Sequence, residues 1–430
     1  MAINRRVFQG WSPGLDQALR TGCEFALRGI VEALPLPGDA SSSASVAGGE
    51  SGYAVFFAYL SISSLDERDS DRYATRALAH LQAAVDGLSG LAQRPDLFGG
   101  FTGIAWAASQ LQRCLLLTDD DFGASVDAAL EQWLARHGEE MLGDLVGGLA
   151  GIGAYGIARR QWPAGRRIVA LAVEALGRSA IVHQNHRTWF SSADGFLYAS
   201  SNSRPEGCFN LGLSHGVPGV VAFLAKAAAL GVPGAAALAN DAGEWLLMQQ
   251  RDYANGSRFA YHFHDAPVEQ SDGSRLAWCY GDLGIAAAML RAARHLRRSD
   301  WEEAARALGR RAAGRHLADS GVVDAGVCHG AFGNAHLFNR LRAATGESCF
   351  LAAANRWVNE GLAMRREGEG LAGFSAWLPV SSDDPPTDSW QPLAGMLEGA
   401  SGIGLVLLGF LYPVEPAWDE LLSVDIPVVT

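Results

Sequence analysis

Positive charge is scarce in this chain. Its 430 residues carry 34 Lys plus Arg against 46 Asp plus Glu, a formal net charge of -12. No cluster of basic residues is available to displace counterions from a phosphate backbone, so nucleic acid is excluded as a partner. Long apolar runs are missing too. The most apolar stretch, Ile403 to Val414, falls short of the roughly twenty residues of a membrane span. Met1 to Gly10 holds two arginines with no apolar region behind them, which excludes a secretory signal. A cytoplasmic location is expected, with any membrane association made through partners. Cysteine is sparse: Cys23, Cys114, Cys208, Cys279, Cys328 and Cys349 are too few and too scattered for a disulfide framework in a chain of this length.

What the chain does have is apolar mass and a period. It is 49% hydrophobic and 19% charged, enough to bury a large core. A Gly-x-x-Gly step followed by a small or apolar run recurs at Gly49–Gly52, Gly100–Gly103, Gly148–Gly151, Gly216–Gly219, Gly281–Gly284, Gly330–Gly333 and Gly399–Gly402. One such step is weak evidence, but seven at intervals of roughly fifty to seventy residues define a repeat architecture. Val220 to Leu230, Ile285 to Leu296 and Ile403 to Leu411 carry few charges on any face and predict buried helices. Leu15 to Leu34, Tyr73 to Leu88, Ser125 to Leu134 and Trp301 to Leu317 are charged on one side and predict outer helices.

The expected fold is therefore all-α, a single domain over residues 1–430 in which seven helical hairpins form a ring. The inner helices point their N-terminal ends at a common mouth, where glycine allows tight turns. Three connectors, about 178–213, 252–277 and 365–397, are longer than the rest and are candidates for shaping a groove. Within the last, Val380 to Ser389 is expected to be the most mobile piece.

Chemistry concentrates at three of the glycine steps: Ser214-His215-Gly216, Trp278-Cys279-Tyr280-Gly281 and Cys328-His329-Gly330. For one such cysteine the ordinary reading is a small residue filling a turn, and for His a helix cap. Two cysteines at matching offsets in successive repeats, one followed by His, fit a metal better. Thiolate and imidazole suit zinc, and three protein ligands leave a fourth position for chemistry. Cys23 and Cys114 lie in apolar helical patterns and read as small core residues, with Cys208 and Cys349 read the same way. His262 and His264 read as a surface or substrate-groove feature, and neither His183 nor His186 has a stronger claim.

The stretches Asn210 to Gly219, Trp278 to Gly284, Cys328 to Asn334 and Leu397 to Ile403 resemble, in order, the motifs of lanthionine synthetase C-like proteins, the cyclases of lantibiotic biosynthesis. The resemblance covers nearly the whole chain. It implies an α/α toroid of seven hairpins with one zinc ion held by Cys279, Cys328 and His329. It implies addition of a substrate cysteine thiolate to dehydroalanine or dehydrobutyrine in a dehydrated precursor peptide, followed by protonation at the α-carbon. His215 matches the family's active-site His and is the leading acid. Asp144 matches its active-site Asp, although Asp is also a good helix N-cap. Arg275 matches a family position suited to holding an enolate, and Tyr280, beside a ligand, either donates a hydrogen bond or packs. Leu283 stands where the family often has Pro, which alters a turn and not a ligand.

The repeats use almost all of the residues, so a separate dehydratase, a leader segment on the peptide and an exporter complex are the expected partners. Two other readings compete. A zinc-dependent thiol-alkylating toroid of the protein prenyltransferase type needs a basic diphosphate site, and no such cluster accompanies these motifs. A cyclase-like scaffold or glutathione-binding protein would use the same thiol chemistry without forming rings.

Overall fold

The computed structural model describes residues 10–39, 41–63, 67–91, 94–117, 121–191, 207–264, 273–378 and 390–428; the expected mobile piece at 380–389 lies outside them. Seven inner helices follow the seven glycine steps: α2 (Glu50–Ser63), α4 (Phe101–Leu115), α6 (Leu149–Ala158), α8 (Val217–Ala229), α10 (Asp282–Leu296), α13 (Ala331–Thr345) and α15 (Ala400–Leu411). Every residue of α15 is buried, as a helix with no polar stripe requires. Each inner helix packs on the next, and α15 packs on α2, so the ring closes on itself.

The outer layer consists of α1 (Arg20–Ala33), α3 (Glu67–Asp86), α5 (Ala124–His137), α7 (Pro163–Ser179), α9 (Ala235–Met248), α11 (Ser299–Ala313) and α14 (Ser348–Ala363), with the single turn α12 (Leu317–Ser320) between α11 and α13. These helices bury one stripe only. In α11 it is Trp301, Ala305, Leu308, Gly309 and Ala312–Ala313, the spacing of one helical face. The first outer helix, α1, packs on the last inner helix, α15, so the two ends of the chain complete the seventh hairpin. Together these elements make a toroid.

The second glycine of each step is required by close approach. A Cβ at Gly52 would stand 2.5 Å from the Val46 carbonyl oxygen, and one at Gly402 would stand 1.8 Å from that of Met396; the other five copies show the same clash with the carbonyl six residues back. The preceding loops are then drawn tight against the helix starts and against one another. Residues two places before the first glycine donate backbone N–H to their counterparts in the next repeat. Ser214 bonds Cys279 at 3.3 Å, Cys279 bonds Cys328 at 3.2 Å, Cys328 bonds Leu397 at 2.8 Å and Leu397 bonds Ala47 at 3.0 Å. Equivalent positions of the sequence repeat thereby become neighbours around the mouth.

The long connectors are not wholly irregular. They carry three short antiparallel pairs: β1 (Ile181–His183) with β2 (His186–Thr188), β3 (Phe209–Asn210) with β4 (His262–Phe263), and β5 (Ala376–Trp377) with β6 (Trp390–Gln391). No described helix is long and apolar enough to cross a membrane.

Away from the mouth the C-terminal segment 412–428 supplies acids to basic side chains on the inner helices, from mid-helix to the last turn. Arg340 donates to both oxygens of Asp419, at 2.5 and 2.8 Å, and His336 meets the same carboxylate at 2.7 Å. Arg113 pairs with Glu420 at 2.7 Å, and Lys226 and Arg291 pair with Asp425. Burial alone would raise the Asp425 pKa, but the two cations hold it well below the usual carboxylate range. Arg340 is 1% exposed and keeps only the half-exposed Glu415 at 3.3 Å as a counter-charge once Asp419 is removed, so Asp419→Ala is expected to cost about 3 kcal/mol. The urea midpoint would fall accordingly with the slope unchanged; a midpoint equal to that of the parent would contradict the assignment.

Candidate functional site

The loops before all seven inner helices surround one cavity of about 1160 Å³. Its chemistry follows from position in the repeat. Cys279 and Cys328 stand two residues before the first glycine of adjacent repeats, so the backbone link between them sets their side chains together. His329 follows Cys328. The two sulfurs and an imidazole nitrogen all lie within 4.8 Å of one another, and the three residues are 7–8% exposed. Two thiols and one imidazole form the donor set that zinc prefers over hard oxygen-seeking cations, so the residues fit that metal.

The protons already favour charge separation here. A hydrogen bond from Cys328, with help from His329 and Arg275, holds the Cys279 thiol well below its ordinary value although burial opposes this; the same hydrogen bond pushes Cys328 up. Burial disfavours the His329 imidazolium, yet the Cys279 thiolate outweighs it and brings the pKa to about 9. By contrast, burial pushes the thiols of Cys23 and Cys114 up to about 12, as inert core cysteines should be. Cys208 is buried and Cys349 is exposed.

His215 and Asp144, 71 residues apart in sequence, meet at the same cavity, with Nδ1 of His215 2.9 Å from Oδ2 of Asp144. The other oxygen, Oδ1, accepts the Gly147 N–H at 2.7 Å. The N-cap of α6 is Gly148, four residues beyond Asp144, so Asp144 is not the helix N-cap that its residue type also suits. Repeats one and two have the same turn: Ser45 accepts from Gly48 at 3.2 Å and Asp96 from Gly99 at 2.6 Å. Asp96 then pairs with Arg94 at 3.2 Å. The carboxylate at this place in repeat three is the one that faces a histidine.

Arg275 also lines the cavity. Its backbone N–H and its Nε both donate to the Tyr261 hydroxyl, at 3.1 and 3.3 Å. Burial disfavours its charge, but Cys279 and Tyr261 more than offset this, so it is held as guanidinium. Tyr280 accepts a hydrogen bond from Asn210 Nδ2 at 2.9 Å, and its ring packs on Tyr261 and His262. All seven side chains expected from sequence therefore line this cavity. His262 lines it as well, whereas His183 accepts from the Trp245 indole at 2.8 Å and packs among the rings of Phe209 and Trp245.

Three further residues were not anticipated. Tyr261 holds Arg275. Asp324 lies 3.5 Å from His329 Nε2. Glu398 lines the cavity, and burial raises its pKa while His329 opposes the rise. A signal for Glu398 was present, because it stands immediately before its glycine step, as His215, Tyr280 and His329 do.

The family model described as lanthionine synthetase C-like protein matches residues 40–423. Among solved structures the chain is similar to nisin cyclase at a TM-score of 0.72 and 18% identity, covering 95% of this chain and 98% of that one. No curated protein matches the sequence.

Proposed function

The chain belongs to the lanthionine synthetase C-like family, and we propose that it is a zinc-dependent lanthipeptide cyclase. The observation that carries this reading is the meeting, in one cavity, of a thiol–thiol–imidazole group with the Asp144–His215 pair. The first suits activation of a thiol and the second suits transfer of a proton. The substrate would be a precursor peptide whose Ser and Thr residues a separate dehydratase has converted to dehydroalanine and dehydrobutyrine, guided by its leader and passed on to an exporter. The protein would act in the cytoplasm, peripheral to the membrane through those partners if at all.

Zinc held by Cys279, Cys328 and His329 would supply Lewis acidity that keeps a substrate cysteine as its thiolate near neutral pH. In the addition the sulfur forms a bond to the β-carbon of the dehydro residue. The double-bond electrons move toward the α-carbon and its carbonyl, and a proton is then added at the α-carbon. Arg275, oriented by Tyr261, is placed to stabilise charge on the carbonyl oxygen. His215 holds the proton for the α-carbon, and Asp144, hydrogen-bonded to Nδ1, fixes the ring orientation. Tyr280 forms part of the cavity wall, packed on Tyr261 and His262.

The reaction leaves the peptide mass unchanged, since the thiol proton is relocated and nothing departs. It is tested by counting thiols. The chain is incubated with a dehydrated, cysteine-containing peptide, and the free thiols are alkylated and weighed. One alkyl group fewer per ring closed is expected. Unchanged thiol counts alongside binding of glutathione would favour the non-cyclising reading instead.

A further inference from the structure

We infer that Asp324 is the positioning carboxylate of the metal site: it orients His329 so that Nδ1, and not Nε2, is the ligand atom, and it ties that ring to the β5 strand of the 365–397 connector. The inference rests on the zinc reading above. Asp324 is 2% exposed and its two oxygens have divided roles. Oδ1 accepts the Gly326 N–H at 3.1 Å. Oδ2 accepts the Trp377 N–H at 2.9 Å and lies 3.5 Å from His329 Nε2. The Trp377 carbonyl oxygen is 3.4 Å from the same Nε2. That nitrogen thus sits between two acceptors and carries the proton, which directs Nδ1 to the thiols of Cys279 and Cys328. A carboxylate on the far nitrogen of a ligating imidazole fixes its tautomer and raises its basicity.

The sequence supports a dedicated role. Six residues before the glycine step the seven repeats carry Ser43, Arg94, Leu142, Asn210, Arg275, Asp324 and Leu393. Only the repeat that supplies the ligand histidine has an acid there. Room for it is made by Gly330, where a Cβ would stand 2.4 Å from Asp324 Oδ1.

Asp324→Asn separates the two functions, because an amide offers one acceptor oxygen where the carboxylate offers two. With that oxygen on Gly326, the NH2 group faces two other donors. Zinc affinity of the full chain, measured by competition with a chelating dye, is expected to weaken about 10–100-fold. In a His329→Ala background the same substitution should have no further effect, as expected for two residues acting as one unit. Equal affinity of Asp324→Asn and parent would overturn the inference, and so would an equal loss in both backgrounds, which marks a merely structural role. A parent that binds no zinc sinks the functional reading itself. A measurement that needs no variant is hydrogen exchange at the Trp377 amide of the parent. Zinc loading is expected to slow it, and exchange indifferent to zinc contradicts the link to β5.

Discussion

Cys328→Ala is expected to abolish stoichiometric zinc binding and thiol addition together while the helical fold persists. The side chain is small, and its loss removes one of the two sulfurs that make the site specific for a thiophilic metal. The backbone N–H and C=O of residue 328, which link repeats six and seven and repeats five and six, are unaffected by the change. The circular-dichroism spectrum should therefore match that of the parent, and the rate of thiol loss from a dehydrated peptide should fall by several orders of magnitude. In the metal-free parent the Cys279 thiolate raises the His329 pKa to about 9, and the hydrogen bond to Cys279 pushes the Cys328 thiol up. Zinc uptake at neutral pH should thus release protons, and affinity should fall as pH is lowered. A variant that retains zinc and activity would remove Cys328 from the site.

His215→Asn is expected to slow ring closure by about 10²–10⁴-fold, the usual contribution of a positioned general acid, with zinc content unchanged. Asp144→Asn should fall in the same range. Its amide can keep the Gly147 hydrogen bond, but presents NH2 to His215 Nδ1 and favours the wrong tautomer, as in the related His–Asp arrangement of serine proteases. The double variant should be little worse than either single one, because the two residues act together. Additive losses would mean independent roles, and a zinc content that fell with either substitution would mean that the pair supports the fold of the mouth.

The ring was legible because its determinants are local. Seven glycine steps mark the seven inner helix starts, and the absence of a polar stripe in α15 or its presence in α11 says which layer each helix joins. Helix limits were less exact. The outer helix expected from Tyr73 begins at Glu67, since residues 67–72 are polar or charged and hydrophobic periodicity does not mark them. The β pairs escaped notice for a related reason, as segments of two or three residues are too short to show a period of two.

At the site, Cys279, Cys328, His329 and His215 were readable from their fixed offset to glycine. Asp144 was readable from the resemblance, and the alternative of a helix N-cap gives way to a turn in which Oδ1 accepts the Gly147 N–H. Tyr261 was not legible, because it acts from a connector whose path over Arg275 depends on β3–β4 pairing. Asp324 leaves a mark as the acid six residues before its glycine step, but its place beside His329 is a consequence of packing.

The most direct test of the account is the metal content and X-ray absorption spectrum of the purified chain. One equivalent of zinc is expected, with two sulfur neighbours at about 2.3 Å and lighter atoms at about 2.0–2.1 Å. The sulfur shell should drop to one in Cys279→Ala if any metal remains. A chain without stoichiometric zinc, or one whose zinc has only nitrogen and oxygen neighbours, would contradict the site on which the proposed chemistry depends.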